Sequence, residues 1–84
     1  MDVLQEAQIF DAFFTEISAE FQRAKKYPPF NSTHEAYAVI KEELDEFWDE
    51  VKKSKDAKLT PEMGKELIQV AAMCIKALMM SVKE

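Results

Sequence analysis

From His34 to Glu50 the chain carries seven carboxylates, Glu35, Glu42, Glu43, Asp45, Glu46, Asp49 and Glu50, against a single lysine, Lys41. This local charge of −6 exceeds the −5 of the whole protein. Like charges one turn apart cost a helix roughly 0.2–0.5 kcal/mol per pair, and a bound cation relieves that repulsion. On a helical wheel Ile40, Leu44, Phe47 and Val51 define the stripe expected to be buried, with Tyr37 and Trp48 on one shoulder. Glu42, Asp45 and Asp49 point into solvent. Glu43, Glu46 and Glu50 follow the other shoulder, about 60–120° from the stripe's centre by the 3.6-residue period. Carboxylates at i, i+3 and i+7 on such a shoulder can converge on one cation while facing another helix.

The second half of the chain answers with Glu66 and Gln69, three residues apart and flanked on the wheel by Val70, Met73 and Ala77. A carboxylate beside an apolar face loses hydration, which is costly unless it is paired or metal-bound. Two helices therefore each offer oxygen ligands at one-turn spacing: Glu43 and Glu46 on one, Glu66 and Gln69 on the other. Hard oxygen donors suit Mg²⁺ or Mn²⁺. No Cys/His set argues for zinc. The bland alternative is a solvated acidic face, since Glu is a good helix former.

Three elements must position these groups. A first helix is expected over about residues 2–26, with Phe10, Phe13, Phe14, Ile17 and Phe21 on one face and Leu4 and Ile9 at its margins. Core packing explains that stripe better than a ligand slot does. Tyr27-Pro28-Pro29-Phe30-Asn31 ends it, because proline lacks an N–H and forces the preceding residue into extended geometry. The second helix is expected over 32–53, opened by the capping box Ser32-Thr33-His34-Glu35. Ser54 to Leu59 is a polar, Lys-rich loop. Thr60 as N-cap and Pro61 at N1 start a third helix, expected over 60–83. That helix is apolar on most sides, with a narrow polar strip near Lys65, Gln69, Lys76 and Lys83. Such a helix needs neighbours all round, more than one chain of this size supplies.

The expectation is one all-α domain over residues 1–84, a three-helix protomer that assembles into a dimeric or tetrameric bundle. An 84-residue chain is marginal alone, yet 48% of its residues are hydrophobic, and a partner subunit takes up the surplus. One Gly and three Pro argue against hairpins and sandwiches. An acidic protein is repelled by nucleic-acid backbone, so nucleic acid is excluded as a partner. The apolar stretch near the C-terminus is broken by Gln69 and Lys76 and does not read as a membrane span. The N-terminus has no basic region of a signal peptide, and the single Cys74 has no internal disulfide partner, which fits a cytoplasmic setting. Cys74 is best explained as a small core residue. His34, the only histidine, lies on the polar side of a first turn. Neither a Ser/His/Asp triad nor a phosphate-binding Gly loop is available.

Glu42-Glu43-Leu44-Asp45-Glu46 is similar to the EExxE motif of MazG-like all-α nucleotide pyrophosphohydrolases, and Glu66-Leu67-Ile68-Gln69 sits where that family has ExxD. The stretch from Pro29-Phe30-Asn31-Ser32 through HEAYAVIKEELDEFWDEVKK to KELIQVAAMCIKAL resembles small MazG-related proteins of phages and mobile elements. Roughly residues 28 to 80 take part. The resemblance implies helical protomers paired into bundles and Mg²⁺-dependent hydrolysis of a nucleoside triphosphate to monophosphate and pyrophosphate. By position it implies Glu43, Glu46 and Glu66 as metal ligands and Glu42 as a supporting acid. Gln69 departs from the family's Asp: its carbonyl can coordinate a hard cation but brings no charge. The proton acceptor would be Glu42, Glu46 or Glu50. Lys52, Lys53 and Lys65 would neutralise the polyphosphate and Trp48 would stack on the base, against the plainer readings of a solvated loop and helix packing. The alternative to an enzyme is a helical binding or oligomerisation module that keeps the fold without the activity, a reading that Gln69 favours.

Overall fold

Each helix begins at a side chain able to satisfy its free amides. Asp2 Oδ1 accepts from Gln5 N–H at 2.8 Å, and Gln5 Oε1 accepts from Asp2 N–H at 3.1 Å, a reciprocal box that opens α1, Val3–Ala24. Ser32 Oγ accepts from Glu35 N–H at 3.1 Å and opens α2, Thr33–Lys53. The return half of that expected box goes one residue further back: the Glu35 carboxylate accepts from the backbone N–H of Asn31 at 3.2 Å and from its side-chain amide at 3.3 Å. Thr60 Oγ1 accepts from Met63 N–H at 3.2 Å and, with Pro61 at the first position, opens α3, Pro61–Leu78. The computed structural model describes residues 1–82, and among these there is no strand. No helix among the described residues is long and apolar enough to cross a membrane.

The expected helix ends hold to within two residues for α1 and α2, the ordinary uncertainty of a fraying end. The third helix is shorter than its pattern suggested. It tightens after Leu78 into a 3₁₀ turn, Met79–Ser81, and Val82 is extended. Lys83, expected on its polar strip, lies outside the described residues.

α3 is the shared partner: it packs against both α1 and α2, whereas the backbones of α1 and α2 stay apart. A V of this kind has little interior. The buried residues are Phe30, Ala36, Met63 and Ala72, and none belongs to α1. The half-buried positions of α1 are Ile17, Glu20, Phe21 and Ala24, all in its second half. Its first half overhangs, with Phe10, Phe13 and Phe14 more than half exposed. Of the stripe expected to bury α2, Ile40, Phe47 and Val51 are half-buried and Leu44 is 48% exposed; Trp48, on its shoulder, is 55% exposed, because α3 lies over the side of α2 that carries Ala36 and Glu43.

The openness has a magnitude. A compact 84-residue domain has a radius of gyration of about 12 Å, and this one has 14.6 Å, with extents of 40 × 33 × 18 Å. Its accessible surface is 6852 Å², where a folded monomer of this mass exposes about 5,100 Å². One chain therefore leaves uncovered about 1,700 Å² more than its size requires, and its exposed side chains include Phe10, Phe13, Phe14, Leu44, Trp48 and Leu78.

Candidate metal centre

The side of α2 turned to α3 carries Glu43 and Glu46, one turn apart. α3 returns Glu66 and Gln69 at the same spacing. Side-chain oxygens of Glu43, Glu46 and Glu66 all lie within 4.8 Å of one another. Glu43 and Glu66 are half-buried and Glu46 is exposed. None of the three is in an ion pair among the described residues, although lysines follow closely in sequence.

Gln69 completes the group as a donor. With its amide nitrogen turned to the carboxylates, the orientation that satisfies both ends of the amide, it donates to Glu43 Oε2 at 3.0 Å and to Glu66 Oε2 at 3.1 Å. A neutral side chain thus bridges two acids across the helix interface. It offsets part of their repulsion without supplying charge. The remainder shows in their protonation. Burial first, then the charges of Glu46 and Glu66, push the Glu43 carboxyl from 4.5 up to about 7. Burial and the neighbouring Glu46 and Glu50 raise Glu66 as well. Carboxylates held this close at neutral pH need a proton or a cation between them.

The donor set fits a hard divalent cation. Of three oxygens around an octahedral Mg²⁺ at 2.0–2.1 Å, at most one pair is opposite, about 4.2 Å apart, and the other pairs are adjacent, about 2.9 Å apart, so these flexible side chains must draw together by up to about 2 Å to hold the ion. Exposure on the Glu46 side leaves room for the waters that Mg²⁺ retains. Gln69 can join through its carbonyl after a half-turn of the amide.

Other residues singled out by the sequence lie elsewhere. Glu42 is exposed on the solvent side of Glu43. Glu50 is half-buried, pairs with Lys53 at 3.0 Å and lies close enough to raise Glu66. Lys52 pairs with Asp49 at 3.2 Å. Lys65 is exposed and opens on a separate cleft beside Phe13 and Thr60. The cleft that does meet Glu43 and Gln69 is lined by Arg23, Lys26 and Lys76 instead. Lys76 was legible only as one member of the polar strip of the third helix, at i+7 from Gln69. Arg23 and Lys26 gave no such signal, since they come from the end of α1. No protein-family model, no curated protein and no solved structure matches the chain.

The raised Glu43 has a measurable consequence. Between pH 4.5 and about 7 the folded chain holds a proton there that the unfolded chain has released. Stability from this group is complete below 4.5 and is lost as pH rises through 7. In chelator, the Tm is expected to fall between pH 5 and pH 8, and less steeply in Glu43→Gln. Saturating Mg²⁺ at pH 8 is expected to restore it, because the cation replaces the proton. A Tm indifferent to both pH and Mg²⁺ contradicts this electrostatic picture.

Proposed function

We infer that the protein is a Mg²⁺-dependent nucleoside triphosphate pyrophosphohydrolase of the MazG-like kind, acting as a homodimer or homotetramer. The observation that carries this reading is the convergence of Glu43, Glu46 and Glu66 across two helices, free of lysine partners. The order and spacing of the two acidic motifs support it. Assembly is supported by the surface one chain leaves uncovered. About 1,700 Å² is more than the roughly 800 Å² per partner of a standard interface, and its apolar character suits an obligate one. The occupant proposed for the exposed face of α1 is a second copy of this chain.

Glu43, Glu46 and Glu66 would hold the cation. When bound, Mg²⁺ polarises phosphate oxygens and favours hydroxide over water. The chain's own task is to order water against the α-phosphorus and take its proton. The new O–P bond forms as the bond to pyrophosphate breaks. Glu50 is held by Lys53, so the proton falls to Glu46, on the exposed side of the cluster, or to Glu42 at its rim. Both are exposed enough to pass it on.

A second reading, a helical module that binds without hydrolysing, is favoured by the Gln69 amide, which already bridges two of the acids. One assay separates the two. Purified protein is incubated with each common ribo- and deoxynucleoside triphosphate and Mg²⁺ or Mn²⁺. Pyrophosphate and monophosphate are expected in equal amounts from at least one nucleotide. No product from any of them, with no thermal shift by metal, leaves the binding module as the better account.

A further inference from the structure

The cleft that meets the acidic cluster is half open, has a volume of about 470 Å³ and is lined on its other side by the last turn of α1 and the Tyr27–Phe30 connector. Its charges are distributed unevenly. Each carboxylate on its wall is already engaged: Glu20 by Arg23, Glu35 by Asn31, and Glu43 by Gln69. The cations are not all engaged. Lys26 and Lys76 have no carboxylate within ion-pair distance among the described residues. Each ammonium instead lies over an aromatic ring, Lys26 at 5.2 Å from the Tyr27 centroid and Lys76 at 4.5 Å from that of Phe30. Phe30 is one of the few buried side chains in the protein, so Lys76 is set on a fixed platform. Lys76 is itself half-buried. A partly desolvated ammonium with only a ring face for company is short of an anion.

We propose that Lys76, with Lys26 lining the same cleft, is the phosphate-binding group of this cleft and takes the distal phosphates of a nucleoside polyphosphate, the part that leaves as pyrophosphate. This deepens the pyrophosphohydrolase reading by assigning a place to the leaving group, and it rests on that reading for the nucleotide. The assignment follows from the polarity of the cleft. Its acidic end repels bare phosphate, and its lysine end attracts it. Lys76 also stands two turns from Gln69 on the same side of α3, so one rigid helix sets the separation between the two ends. Lys55 and Lys58, in the loop after α2, lack that fixed relation, and Lys52 and Lys53, in the last turn of α2, spend their charge on Asp49 and Glu50. Lys76 is a binding and positioning residue; it need not touch the attacking water.

The test uses inorganic pyrophosphate with chelator present, so that neither metal nor hydrolysis enters. Backbone amide resonances of the full chain are followed during titration. Shifts are expected at Tyr27, Phe30 and residues 73–77, with an affinity at least about tenfold weaker in Lys76→Met and largely kept in Lys76→Arg. Shifts confined to residues 52–58, no shifts at all, or equal affinity in Lys76→Met overturn the assignment. The wild-type map alone decides if the Met variant fails to fold. Lys76-dependent pyrophosphate binding upholds the assignment even in a protein that cleaves no nucleotide. Cleavage whose KM is unmoved in Lys76→Met overturns it while leaving the enzymatic reading intact.

Discussion

Replacing Glu43 by Gln is expected to lower pyrophosphate release at saturating nucleotide by at least about a hundredfold, since even groups that only support a metal ligand are worth tenfold to a hundredfold. The substitution keeps the side chain's length, so packing of α2 against α3 is preserved. It removes the carboxylate that is most central to the cluster and most perturbed by it. Stability in chelator is expected to rise slightly at pH 8, because the like-charge repulsion is gone. Loss of activity together with a gain in apo stability is the signature of a functional acid; a structural acid would lose both. Asp45→Asn is the control. Asp45 is exposed on the opposite side, paired with Lys41 at 3.0 Å, and its loss is expected to leave activity within roughly twofold, as for other exposed ion pairs. Equal activity in Glu43→Gln and Asp45→Asn would remove Glu43 from the mechanism.

The second large effect concerns assembly. The protein is expected to sediment as a dimer or larger at micromolar concentration, with a Tm that rises with concentration. Phe13 and Phe14 project from the overhanging half of α1 with 54% and 59% of their surface exposed. Burying one Phe is worth about 1.5–3 kcal/mol. Replacing either by Glu is therefore expected to weaken assembly by about tenfold to a hundredfold, and replacing both by the product of the two. α1 has no buried residue and its backbone lies close only to that of α3, so the dissociated chain should also lose helix in α1. A monomer that stays fully helical and equally stable at every concentration contradicts this, as does assembly indifferent to both substitutions.

Local signals carried most of the fold. Asp2, Ser32, Thr60 and Pro61 mark helix starts because capping is a matter between neighbours within one turn. The acidic cluster was legible for the same reason: one-turn spacing on two amphipathic helices fixes which carboxylates share a shoulder. What the pattern did not give is which apolar face meets which helix. Ile40, Leu44, Phe47 and Val51 read as the buried stripe of α2, yet Ile40, Phe47 and Val51 are only half-buried and Leu44 stays exposed, because α3 covers a side rotated toward Glu43. A hydrophobic stripe records the sum of all contacts a helix makes, and a single chain satisfies only some of them. The cleft lysines were hidden by distance along the chain. Lys26 shares a cleft with Lys76 because the end of α1 packs beside α3.

The most direct test of the central claim is to titrate isotope-labelled protein with Mn²⁺ and read which amide resonances broaden. Paramagnetic broadening is expected first at residues 42–47 and 65–70, and to be reversed by excess Mg²⁺. Broadening centred elsewhere, or none at millimolar Mn²⁺, would contradict a divalent cation held by Glu43, Glu46 and Glu66.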